Sequence, residues 1–265
     1  MPLTVAHAAA ALPFRKFNLV WSAFLVGSMA PDFPYVIGST RYRDLGHYFP
    51  GVALFTLPAS FAVLWFYHWA IKRPVTELLP IGMQQRLRDQ LGEFSFDGAG
   101  RMWAITVSII LGIATHLVWD SFTHAHTWPW LHFAWLRYAI KVPLVGWMST
   151  FMFLQYVSTF VGFFALGVWI LMWYRETAPV PIASLPPLKS RVSLAVTIFA
   201  IAIAAGLLRA WLLIGAMPRT INHWDWFMLN FAVTAIAVAF WELLFYCLFM
   251  TLRQYTAQPA KLRVT

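Results

Sequence analysis

Three residues in the stretch ATHLVWDSFTHAH, namely His116, Asp120 and His124, recur at intervals of four. On an α-helix, side chains four apart lie on one face, so they form a single stripe if the helix runs on through Ser121. Imidazole nitrogens and a carboxylate one turn apart are ligands of the kind zinc accepts. His126 falls off the stripe and is expected beside the site or in solvent. The same spacing also arises in a hydrogen-bonded cap at a helix end, so the stripe alone leaves a metal site and plain polar packing both open. Company shifts the balance toward metal: Asp32 in GSMAPDFPY and His47 in GHYFPG supply the same residue types from other segments.

The elements that must position these residues follow from composition. The chain has 265 residues, 60% hydrophobic and 11% charged, whereas soluble domains carry roughly 25% charged residues. An integral membrane protein is expected, a single membrane domain over residues 1–265, with 1–147 as the metal-site half and 148–265 as additional spanning helices. A span needs about 20 mostly apolar residues, and five segments qualify: Tyr48 to Ile71, Met102 to Trp119, Phe151 to Tyr174, Val192 to Ala216 and Phe227 to Leu252. The fifteen Trp and twenty-three Phe suit lipid-facing surface and interfacial anchoring. The lone Cys247 excludes an intramolecular disulfide. The first sixteen residues place Arg15 and Lys16 after the small apolar run, the reverse of a signal peptide's order.

The net charge of +9 comes with no basic run or aromatic-interleaved basic motif, so it points to membrane orientation and not to nucleic acid. Lys72, Arg73, Arg86, Arg88, Arg101, Arg175, Lys189, Arg191, Arg253, Lys261 and Arg263 fall on one side of the spans; Arg41, Arg43, Arg137, Lys141 and Arg219 fall on the other. Basic residues accumulate in cytoplasmic loops. The C-terminus is therefore expected in the cytoplasm, and Asp32, His47 and the His116 to His126 stretch toward the extracytoplasmic face. The loop from Thr127 to Gly146, with Trp128, Trp130, Trp135 and nearby Trp147, reads equally as a cover over that face or as an ordinary aromatic belt.

The apolar stretch Phe17 to Ile37 allows either a sixth span or a shorter helix, because Pro31 and Pro34 interrupt it. A re-entrant hairpin is the favoured reading: a helix from about Thr4 to Leu12, a turn at Pro13 to Lys16, and a second helix to about Met29. Both arms are then roughly 15 Å long, and His7 returns to the depth of Asp32. Re-entrant backbone is tolerated where protein buries it or it lines a polar cavity. The expected fold class is all-α, a polytopic membrane protein of about five spanning helices plus this hairpin.

The order AHAA, GSMAPDFPY, GHYFPG and ATHLVWDSFTH resembles the bacterial membrane-protein family known as domain of unknown function 4184. The pattern of a histidine, a Pro-Asp, a further histidine and a HxxxD pair is also similar to membrane-bound metal-dependent hydrolases, and more remotely to zinc-dependent phospholipase C and P1-type nucleases. The resemblance implies His7, Asp32, His47, His116 and Asp120 as ligands of a divalent metal, Zn²⁺, with His124 or His126 as a further one. It also implies a phosphoester substrate in the membrane of a bacterium, the cytoplasmic (inner) one.

Zinc lowers the pKa of a bound water toward 7. Asp32 and Asp120 would orient that water or bridge two metals, which makes them the catalytic candidates. Arg41 and Arg43 are candidates for contacting an anionic head group, although meeting ordinary lipid phosphates is the plainer reading. Three classes are carried forward: a metal-dependent hydrolase acting on a phosphoester or lipid-linked phosphate, a non-catalytic membrane protein with a structural metal or polar core, and, less favoured, a metal or proton transporter. The last needs Arg209 and Glu242, which are otherwise expected to form a structural ion pair between the last two spans. His68 is expected at the interface, and His223 and Asp225 in an outer loop.

Overall fold

The computed structural model describes residues 4–36, 43–143, 146–182, 188–214 and 221–257. Its N-terminal segment is the expected helical hairpin. The first arm, Thr4–Phe14, is a 3-10 helix of 11 residues, and the second, Trp21–Met29, is an α-helix of 9. Neither is long enough to cross a membrane. Three residues per turn place Thr4 and His7 on the same edge of the first arm. Pro31 follows the second arm, which gives way to a 3-10 turn over Ala30–Asp32. At the closed end Phe14 packs on Phe24 with ring centres 5.3 Å apart. At the open end Thr4 Oγ1 donates to Asp32 Oδ2 at 2.7 Å, so the two arms do return to one depth.

Among the described residues, five helices are long and apolar enough to cross a membrane: Phe49–Leu78, Ala99–His132, Thr150–Glu176, Leu188–Ile214 and Trp226–Thr256. These are the first to fifth spans, and the chain is an all-α polytopic membrane protein. Within the second, the continuous α-helix is Ala99–Thr123, followed by a short helix at Trp128–His132. The first span widens to π-helix at Val52–Thr56 and again at Tyr67–Ile71, shortly before Pro58 and Pro74. Each proline lacks the N–H that the carbonyl four residues earlier requires, and a π turn is a common local response to such an interruption. Departing from the all-helical expectation, Ala139–Val142 and Gly146–Ser149 pair as an antiparallel β-hairpin in the loop before the third span.

Contacts divide the chain into two units. One comprises the described residues within Met1–Tyr35, Ser39–Trp65 and Phe94–Thr177. Its apolar core joins Val20, Ala23 and Val26 of the hairpin to Ile105, Ile109 and Ile113 of the second span, with Leu64 of the first. The hairpin's second arm lies directly on the second span. A Cβ on Gly27 would stand 2.3 Å from the Ile109 carbonyl oxygen, and one on Gly112 would stand 2.3 Å from that of Phe24. Small residues permit this backbone approach in membrane helices.

The other unit holds the described residues of Val36–Gly38, Phe66–Glu93 and Ala178–Thr265. The Ala70 carbonyl, whose normal donor Pro74 lacks, accepts from Thr251 Oγ1 at 3.1 Å. The Leu79 carbonyl beyond the first span accepts from Gln84 Nε2 at 2.7 Å and from an Arg191 guanidinium nitrogen at 2.7 Å. The expected Arg209–Glu242 pair does not form. Gly206 of the fourth span packs on Phe231 and Ala235 of the fifth, which brings Arg209 level with residues near 230. Glu242 lies about a dozen residues farther along, about 18 Å away. His68 sits in the second π turn, edge-on to Tyr67 at 5.0 Å. The side chains of His223 and Asp225 lie outside the described residues.

Candidate metal centre

The helix of the second span runs through Thr123, so His116 and Asp120 share one face and both are buried, at 0% and 5% exposure. His116 Nε2 stands 3.2 Å from Asp120 Oδ2. The Gly27–Gly112 approach brings Ser28, next in the hairpin's second arm, against His116 one turn on, and His116 Nδ1 donates to the Ser28 carbonyl oxygen at 2.8 Å. A carbonyl only accepts, so a hydrogen sits on Nδ1, and Nε2 is the nitrogen left to face the carboxylates. Metal-ligating histidines are commonly oriented this way.

Asp32 enters from the open end of the hairpin, its Oδ1 3.8 Å from His116 Nε2. His47 enters from the 3-10 turn Arg43–His47, its Nε2 3.3 Å from Asp120 Oδ2 and 3.9 Å from Asp32 Oδ1. Gly46 makes that entry possible, because a Cβ there would stand 2.1 Å from the Pro31 carbonyl oxygen. Asp32, His47, His116 and Asp120 together offer ligand atoms that all lie within 4.8 Å of one another. His7 stacks on His116 with ring centres 3.9 Å apart and brings Nε2 to 3.4 Å from Asp120 Oδ1.

The donor set fits a cation. Asp32 Oδ1, Asp120 Oδ1, His116 Nε2 and both His7 ring nitrogens are buried without a hydrogen-bond partner among the described residues. Lone pairs and carboxylate oxygens facing one another in a buried pocket cost several kcal/mol unless a positive centre joins them, on the order of the desolvation penalty of a buried polar group. For the two groups outside the spans, burial holds the His7 imidazole neutral, its pKa pushed down to about 3, and raises that of the Asp32 carboxyl. A neutral imidazole is the form that binds metal, and a carboxylate deprived of water gains most from a cation.

The remaining candidates stand at the margin. His124 caps the helix in extended backbone. Its Nδ1 donates to the Asp120 backbone carbonyl at 3.1 Å and lies 3.7 Å from Asp120 Oδ1. His124 and His47 are the partly exposed side chains around Asp120, at 30% and 27%, and form the accessible edge of the cluster. His126, at φ 63°, is exposed beside Trp130 and outside the cluster. Arg41 and the side chain of Arg43 lie outside the described residues. Sequence reasoning missed Thr4, the Ser28 carbonyl and Trp119, whose ring lies 5.1 Å from that of His7. Only Thr4 left a signal, three residues before His7 on a 3-10 edge.

No curated protein and no solved structure matches the chain. Residues 1–248 match the family model described as "Domain of unknown function (DUF4184)", and the chain belongs to that family.

Proposed function

We propose that this protein is a membrane-embedded, metal-dependent hydrolase of a phosphoester, with zinc as the metal. The reading rests on one observation: two buried carboxylates and two imidazoles from three separate segments bring their ligand atoms within 4.8 Å of one another, with His47 at the accessible edge. Nitrogen and carboxylate oxygen are zinc ligands. When bound, the metal supplies Lewis acidity, polarising a phosphoryl oxygen and acidifying a water.

The chain's own residues do the rest. His116, fixed by Ser28, and His47 would hold the ion together with Asp120, whose Oδ1 lies 3.4 Å from His7 Nε2. Asp32, steadied by Thr4, would orient the attacking water and take its proton. Arg41 and Arg43 would meet the anionic group of the substrate. The motif similarity to membrane-bound metal-dependent hydrolases supports the same reaction class. The charge distribution supports a site on the extracytoplasmic face of a bacterial cytoplasmic membrane, with substrate arriving from the lipid.

The test is metal content together with phosphate release by the purified protein and by Asp120→Asn. The variant is expected to lose metal and activity while unfolding at nearly the same temperature. One observation favours a second reading, a structural metal: four protein ligands suffice to close a tetrahedral site. On that reading Asp120→Asn loses stability or expression, and the native protein releases no phosphate.

A further inference from the structure

Beside the metal pocket, the second and third spans border an open, apolar surface groove of about 490 Å³. Its walls include Ala114, Val118, Trp119 and Phe122 of the second span and Leu154 and Ser158 of the third. The polar residues in this lining spend their hydrogens inward. Thr115 Oγ1 donates to the Gly112 carbonyl at 2.7 Å, Thr123 Oγ1 to that of Trp119 at 3.4 Å, and Ser158 Oγ to that of Gln155 at 3.3 Å. Trp119 Nε1 donates in turn to Ser158 Oγ at 3.0 Å. What remains facing the groove is hydrocarbon, with nothing to recognise a sugar, a glycerol or a peptide.

The groove shares a wall with the pocket. Trp119, held by Ser158, lines the groove and also lies against His7. Along the second span the lining runs from Leu111 to Thr123, about 18 Å of helix, and ends next to His124 at the pocket mouth. We propose that this groove holds the hydrocarbon tail of the substrate, so that the hydrolase acts on a phosphoester carried by a long-chain lipid, its head at the His124 and His47 rim. This substrate assignment rests on the hydrolase reading. The tail site itself does not, and the two can fail separately.

Ala114 is exposed in the groove, and Ala114→Phe fills it without touching a proposed ligand. Ile110→Phe places the same ring at an exposed position outside the groove. The purified full-length chain in liposomes is photolabelled with a phosphatidic acid bearing a diazirine in its acyl tail, and phosphate release is followed from long-chain and dihexanoyl phosphatidic acid. Label is expected on Val118, Phe122 and Leu154, reduced at least tenfold by Ala114→Phe and unchanged by Ile110→Phe. Release from the long-chain substrate should fall about tenfold in Ala114→Phe, the worth of roughly two buried methylenes, with the dihexanoyl substrate unaffected.

Label spread evenly over the spans, or indifferent to Ala114→Phe, overturns the proposal, as does an equal fall for both substrates. Groove-specific label with no turnover by the native protein leaves the tail site standing and removes the hydrolase reading. If Ala114→Phe does not fold, Leu154→Phe replaces it with the same expectations.

Discussion

Two helix crossings in this molecule use the same device and surround it differently. The hairpin's second arm meets the second span through Gly27 and Gly112, and the fourth span meets the fifth through Gly206. At the last crossing the flanking buried residues are Ala202 and Ala210, and Arg209 points outward. At the first, the flanking residues are Ser28 and His116, with Asp32 and Asp120 a turn away. Close approach by itself therefore makes a dry contact between helices. It becomes a site where it presses a backbone carbonyl onto an imidazole and turns the other ring nitrogen toward two carboxylates. Ionisable groups are costly within a membrane and tend to mark function, and it is at the first crossing that His116, Asp120 and Asp32 gather into a group that could hold a metal.

The largest effect that could break this comparison comes from Gly112→Ala. Its Cβ would collide with the Phe24 carbonyl and, at 2.7 Å, with the Ser28 nitrogen. Stability in detergent is expected to fall by about 3 kcal/mol, the upper part of the overpacking range, with metal lost as Ser28 leaves His116. Gly206→Ala, meeting the Phe231 carbonyl at 2.7 Å, should cost about 1 kcal/mol and leave metal content alone. Equal penalties with metal retained in both would erase the distinction.

Next in size is Thr4→Val, which removes the donor to Asp32 Oδ2. Metal affinity, measured by competition with a chelating dye, should drop about tenfold, as for other groups that orient a ligand. No change would show that Asp32 holds its position without help. Smallest is a double-mutant cycle on Arg209→Gln and Glu242→Gln, whose coupling should lie below about 0.3 kcal/mol. A coupling near 1 kcal/mol would reinstate the ion pair and reopen a polar path through the last two spans.

Much of this was legible in the chain. Length and hydropathy locate the spans, and Pro31 and Pro34 stop the second arm where it stops. The same interruption implied that His7 folds back toward Asp32. Four-residue spacing placed His116 and Asp120 together because the helix persists to Thr123, and His124, one residue past its end, stands at the margin 3.7 Å from Asp120 Oδ1. Other features were hidden for physical reasons. Glycine announces neither the helix it will meet nor the carbonyl that the approach delivers, so the Ser28 bond had no sequence mark. Arg209 and Glu242 looked complementary because opposite charge says nothing of depth, which the Gly206 register decides. The β-hairpin at residues 139–149 hid behind its aromatics, which fit a membrane interface as well as a strand.

The most direct test is elemental analysis of the purified native protein beside Asp120→Asn, repeated after chelation. The native chain is expected to carry at least one equivalent of a transition metal, zinc foremost, and the variant far less. A native protein with well under one equivalent of any transition metal, and with its fold unchanged by chelation, would contradict a metal centre built from Asp32, His47, His116 and Asp120.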